Sequence, residues 1–180
     1  MQFVDQAFAR RLESAEEIPQ VDCARMLQKL RPEIGADFAP ICGGHMMFAG
    51  LNSPIGHAAG LGFDGPVTAA DLDCLEAFYR CHQAPAQLDI CPLTTPSVLE
   101  LVSARGYGML ELNNVLYRPI DSQDKFEIPS GIEIRRSNPA EADVFSELLS
   151  RSFFNKEKPP ADFADMLAPL FHFPECVTFV

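Results

Sequence analysis

The stretch Ile55 to His82, IGHAAGLGFDGPVTAADLDCLEAFYRCH, constrains this chain more than any other. It is expected to form a short strand, a glycine turn and then a helix. Thr68 stands three residues before Asp71, the spacing of a capping pair. Leu72, Leu75, Phe78 and Tyr79 follow at helical spacing, which predicts one buried face. The turn Gly60 to Pro66 is too rich in glycine and proline for regular structure. A strand–turn–helix junction of this kind often holds a phosphate, because the free N–H groups of the helix start point at the ligand.

Gly60, Gly62 and Gly65 match the G-x-G-x-x-G spacing of a dinucleotide-binding turn, with Asp89 downstream at about the ribose-binding distance. Three features weigh against that reading. The preceding strand holds Gly56 and His57 rather than a Val/Ile run, so it is not patterned as a buried central parallel strand. His45 to Leu51 predicts another strand, joined through Asn52-Ser53-Pro54, and the two suggest an antiparallel hairpin. Pro66 and the Thr68 cap start the helix after the glycines instead of within them. No Lys or Arg lies between Arg31 and Arg80, Asp64 sits inside the turn, and a helix start supplies only about half a charge. A glycine turn between packed elements is the favoured reading.

The 180 residues are 47% hydrophobic, enough for a sizeable core. A net charge of −11 disfavours nucleic-acid and anionic-membrane surfaces as partners. No signal pattern or membrane-length apolar run stands out, so a cytoplasmic protein with free thiols is expected.

In chain order, residues 3–16 predict a helix with Phe3, Val4, Ala7, Phe8 and Leu12 on one face, broken at Ile18-Pro19. A second helix is expected from Asp22, with Val21, Ala24, Leu27, Leu30 and Ile34 as its stripe, ended by Gly35. Strands are expected at 38–42 and 45–51, and a short one from Gln87 to Cys91. Thr95-Pro96 opens a helix with Val98, Leu101 and Val102 inward, closed by Arg105-Gly106. Residues 107–118 predict a strand whose alternation slips at Asn113-Asn114, as a bulge would cause. Residues 120–130 are polar and turn-rich, a linker. A fresh unit then starts: strand Ile132 to Arg136, a capped start at Asn138-Pro139 with Glu141, and a helix lined by Phe145, Leu148, Leu149 and Phe153. Another helix is expected around Phe163, Met166, Leu167 and Leu170, then a strand from Cys176 inside which the chain stops. That order makes an α+β unit over 1–119 and the opening of a second over 131–180. The second is expected to be poorly stable alone, with apolar helix faces uncovered.

The segments GFDGPVTAADLDCLEAFYR, CPLTTPSVLELVSARGYGMLELNNVLYRPI and GIEIRRSNPAEADVFSELLSRSFF together resemble the GNAT N-acetyltransferase superfamily in tandem form. The resemblance implies a mixed, mainly antiparallel sheet flanked by helices, with a first module packing on a second. It implies acyl transfer from acetyl-CoA to a small-molecule amine, without a metal. In that family an Arg/Gln-x-x-Gly-x-Gly/Ala turn holds the coenzyme's pyrophosphate. Gly60 to Thr68 has no such motif, so the first module is expected to be degenerate. The equivalent turn of the second would lie past Val180, and no catalytic residue carries over. The alternative is a non-catalytic module that shapes the acceptor site of a partner domain.

Cys42 and His45 have half a metal site's spacing, with Cys74, Cys81 and His82 as conceivable completions, but zinc sites show paired local doublets, and buried structural thiols are the favoured reading. Cys91 ends a strand and would need His45, His57 or His82 as base to act as a nucleophile. His57 is read as a satisfied strand histidine, Tyr107 and Tyr117 as packing residues. Glu111 and Asn113 would fit a cleft or an exposed strand face equally.

Overall fold

In the computed structural model of the chain, which describes residues 3–154, 167, 170–171 and 177–179, the first element is one 25-residue helix, α1 (Gln6–Leu30), where the sequence predicts two. Asp5 caps it, its carboxylate accepting from Phe8 N at 2.8 Å. Pro19 lies inside the helix and removes the N–H that would bond Ala15. Pro19 and Ala15 are both exposed, so the orphaned carbonyl meets water. On the opposite face Glu17, Val21, Ala24 and Leu27 continue unbroken across the proline and are buried. That continuous packed stripe carries the helix past its breaker. The expected face around Phe3 does not form: Phe3 precedes the helix and is exposed, as is Ala7. Leu30 is exposed too, and a 3-10 turn over Pro32–Ile34 separates the helix from Gly35.

Strands β1 (Asp37–Ile41) and β2 (Gly44–Phe48) form an antiparallel hairpin with Phe38 opposite Met47. Its two-residue turn, Cys42-Gly43, has positive φ at both positions (47° and 87°), as the primed hairpin turns require. Gly44 then lets a third segment approach, since a Cβ there would collide with Ala59 O. Ala59 exchanges two 3.0 Å hydrogen bonds with His45, antiparallel, while on its other side Ala58 bridges Leu88 in parallel. The strands predicted before Gly60 and over 87–91 are thus reduced to single bridges.

Helix α2 (Ala69–Cys81) has the predicted Thr68/Asp71 capping box, and α3 (Pro96–Ala104) has proline in its first turn, with Gly106 in the left-handed region after it. Leu72, Leu75 and Tyr79 of α2 are buried, as are Val98 and Val102 of α3. The two helices α1 and α2 cover opposite faces of the hairpin. Met46 packs with Leu75 and Tyr79, whereas Met47 packs with Val21 and Ala59. Successive β2 residues point to opposite faces, so both are buried. The result is a mixed α+β architecture with a small antiparallel sheet.

Residues 107–118 are not a strand. Met109, Leu110, Leu112 and Leu116 are exposed, and the Asn113-Asn114 bulge has no ladder to sit in. A strand exists only through pairing, and among the described residues none pairs with this segment. It is held near its ends: Tyr107 OH donates to Glu76 at 3.2 Å, and the Tyr117 ring meets Phe8 edge-on at 4.7 Å.

Residues 119–131 lie exposed. Past them, the expected strand Ile132 to Arg136 shrinks to one antiparallel bridge, Arg136 to Phe179. The Asn138/Glu141 capping box forms as predicted, ahead of α4 (Ala142–Phe154). Phe145 and Leu149 are half-buried but Leu148 is exposed, and Phe145 meets Phe171 edge-on at 5.4 Å. Phe163, Met166 and Cys176, and the side chain of Phe153, fall outside the described residues. No helix among the described residues is long and apolar enough to cross a membrane.

Candidate functional site

The Gly60–Thr68 turn lies where the third segment meets α2, against α1 and the start of α3. Gly60, Gly62 and Gly65 have φ of 77°, 81° and 138°. Two of them are accounted for by packing. A Cβ on Gly60 would sit 2.5 Å from Glu17 Oε2, and one on Gly62 would meet Val98 at 2.7 Å and Thr95 Oγ1 at 2.9 Å. Only Gly65 faces open space.

Several of the turn's polar groups are engaged by the chain itself. Gly62 N donates to Cys42 O and Val67 N to Ser97 Oγ, both at 2.9 Å. Thr68 N donates to Asp71 Oδ2 at 2.8 Å, and Asp71 N to Thr68 Oγ1 at 3.3 Å. Thr94 Oγ1 donates to Leu61 O at 2.6 Å. The Asp71 carboxylate therefore stands at the helix start, where an anion would bind. The Thr68 hydroxyl and backbone N–H bonded to it lower its pKa.

Local sequence misjudges one aspect of this turn. Although no cation is near it in sequence, α1 brings Arg10 to a two-pronged pair with Asp64, and Arg105 reaches Ala69 O at 2.8 Å, Asp73 at 2.7 Å and Glu76 at 3.1 Å. Both guanidiniums are thus committed to carboxylates of the chain. Asp89, the ribose candidate of the dinucleotide reading, sits with its Oδ2 3.0 Å from His57 Nε2. The nitrogen is buried without an aligned partner, so this is a close approach and not a hydrogen bond, and the satisfied strand histidine expected at His57 is not found. The parallel pairing on both sides that the dinucleotide reading needs is absent, because the His45 side is antiparallel.

Beneath α1 runs a seam of titratable groups. Glu17, 4% exposed, pairs with His45 Nδ1. Four residues earlier Glu13 is bonded to Cys91, and burial, with Glu16 and Asp89 nearby, raises its pKa. Cys91 is itself pushed up, by burial first and then by Glu13. A nucleophilic thiol needs the opposite shift and a base. The three candidate bases instead pair with acids: His45 with Glu17, His57 with Asp89, His82 with Asp37. Nothing in its own charge marks Glu17 as buried, yet it lies four residues before Val21 on the buried stripe of α1.

The remaining candidates separate. Cys74 and Cys81 are exposed rather than buried, since Leu72, Leu75 and Tyr79 occupy the inner face of α2. Cys42 is half-buried, bonded to Asp71, and pushed up to about 11, chiefly by burial. Among the described residues no group of three or more His, Cys, Asp or Glu is placed to hold a metal. Burial, then Glu76, raises Tyr107 to about 12. Asn113 donates to Glu111 at 3.0 Å, both exposed.

At the other end of α2 lies a cleft of about 470 Å³, lined by Ile34, Phe48, Leu51, Ser53, His82 and Gln83 together with Gly35, Ala49 and Gly50. His82 stacks on Phe48 at 4.4 Å and 15°, and its Nε2 lies 3.2 Å from Asp37 Oδ2. Comparison with protein-family models, with curated proteins and with solved structures finds no match for this chain.

Proposed function

We propose that the chain carries the first, coenzyme-free module of a GNAT-type N-acetyltransferase (residues 1–119) and, after a linker, the start of a second (131–180). In this reading the first module packs on its neighbour and shapes the acceptor site instead of gripping acetyl-CoA. The observation that carries it is the start of α2: Gly62 N, Val67 N and Thr68 N donate within the chain, and the Asp71 carboxylate already occupies the helix start. The mixed pairing of residues 58–59, antiparallel to His45 and parallel to Leu88 with a helix on each face, supports the GNAT-like part of the reading. The turn does not fit a pyrophosphate, so no catalytic step is assigned to it. A cytoplasmic setting belongs to the same proposal, in keeping with the thiols of Cys42, Cys74, Cys81 and Cys91.

Calorimetric titration of the chain with acetyl-CoA tests the reading. No binding heat is expected. A dissociation constant on the order of 1 μM would mean that the turn opens to accept the coenzyme, and the proposal would fall.

A further inference from the structure

The β1–β2 turn departs from the residue preference of its own geometry. Both central positions are left-handed, with φ of 47° at Cys42 and 87° at Gly43. Asn, Asp or Gly is usual at the first of these, and a cysteine there is held in a conformation that its Cβ disfavours. Cys42 is also fixed from outside the hairpin. Its carbonyl accepts from Gly62 N at 2.9 Å, and its side chain packs on the cluster of Ile41, Leu75 and Tyr79. A residue kept at a strained position points to a use for its side chain.

The Cys42 thiol meets the start of α2. It is hydrogen-bonded to Asp71, and Cys74 is near enough to act on its charge. Asp71 and Cys74 are three residues apart on α2, neighbours on its surface with Cβ atoms about 5–6 Å apart. Asp71 thus stands next to both cysteines. Cys74 is exposed and Cys42 half-buried, so an oxidant in solution reaches Cys74 first. No other two of the described cysteines are so placed. Cys74 and Cys81 are about 10 Å apart along the helix axis, beyond the roughly 7 Å that a disulfide spans between Cα atoms. Cys23 is buried in a separate cluster with Leu27, Ala36 and Ala49, and Cys91 is bonded to Glu13 beneath α1.

From this we propose that Cys42 and Cys74 form a redox-modification site, closing to a disulfide when hydrogen peroxide oxidises the chain. Cys74 attacks the peroxide as its thiolate: an S–O bond forms, the O–O bond breaks, and the leaving hydroxide takes a proton to become water. The Cys42 sulfur then attacks the sulfenic acid on Cys74. The S–S bond forms, the S–O bond breaks, and the second oxygen leaves as water with the Cys42 proton. Two thiols lose two electrons and two protons, and one hydrogen peroxide becomes two waters. The product ties the hairpin turn to the first turns of α2 and takes the Cys42 thiol from Asp71. It does not depend on the coenzyme reading.

The test is peptide mapping by mass spectrometry of the full chain, reduced, freed of reductant, treated with hydrogen peroxide and alkylated without further reduction. Expected as the main disulfide is a linked peptide pair containing Cys42 and Cys74, lighter by two hydrogens. It should be lost in Cys74→Ser and in Cys42→Asn, a residue that suits the turn better than cysteine, and should persist in Cys81→Ser. Unfolding the chain in urea before oxidation should cut its yield about tenfold, because a flexible chain then separates the two thiols. The absence of a disulfide, a different main disulfide, Cys74 oxidised to the sulfinic acid with Cys42 left as a thiol, or an equal yield from the unfolded chain overturns the inference.

Discussion

Tyr79 stands where a third strand would continue. His45 N and O bond to Ala59, and two residues along the same edge of β2 the pairing segment has turned away. The Tyr79 hydroxyl takes over there, accepting from Met47 N at 3.3 Å and donating to Met47 O at 3.2 Å. One side chain thus closes two buried backbone groups, and the same burial pushes its phenol well above the usual range. Tyr79→Phe would leave both groups unsatisfied and is expected to cost about 2 kcal/mol in urea denaturation, with the circular dichroism spectrum unchanged. A loss within error would mean that water replaces the hydroxyl. Helical spacing marks Tyr79 as a buried position. It does not disclose what the hydroxyl does, because that depends on where a segment 20 residues earlier in the chain diverges. Glu17 is a similar case: its stripe position is visible in sequence, while its partner His45 comes from another element.

Among the elements, α1 departs furthest from expectation. Proline inside a helix costs about 3 kcal/mol relative to alanine, which makes a break at Pro19 the natural reading of the sequence. Packing of Val21, Ala24 and Leu27 on one side of the proline and Ala9 and Glu17 on the other outweighs that cost. Pro19→Ala restores the hydrogen bond to Ala15 at an exposed position and is expected to raise stability by about 2 kcal/mol, measured as a higher urea midpoint at unchanged slope. Little or no gain would show that the helix is interrupted at Pro19. The capping boxes at Thr68 and Asn138 are legible because they are complete within four residues. The 107–118 strand is not, because alternation states only which residues share a face and leaves open whether a neighbouring edge exists to pair with.

At the scale of the whole molecule, the buried clusters that α1, the hairpin and α2 form among the described residues come from residues 21–79, with satellites no later than Leu88, and α3 adds Val98 and Val102. Exposed residues 109–134 contribute little to it. A fragment of residues 1–108 is therefore expected to keep a thermal midpoint within about 5 °C of the full chain. Failure to fold would place essential packing beyond Tyr107 and end the division at residue 119. By itself the sequence determined what is local: the α2 and α4 starts, the glycine exit after α3, the apolar stripes of α2 and α3, and the acidic balance. Those depend on residues within a turn or two of one another. Only the tertiary structure decided that α1 runs through its proline, that Arg10 reaches Asp64, and that His82, Phe48 and Asp37 meet. Each of these joins residues more than ten positions apart or weighs a local cost against packing, and neither is written in neighbouring letters of the chain.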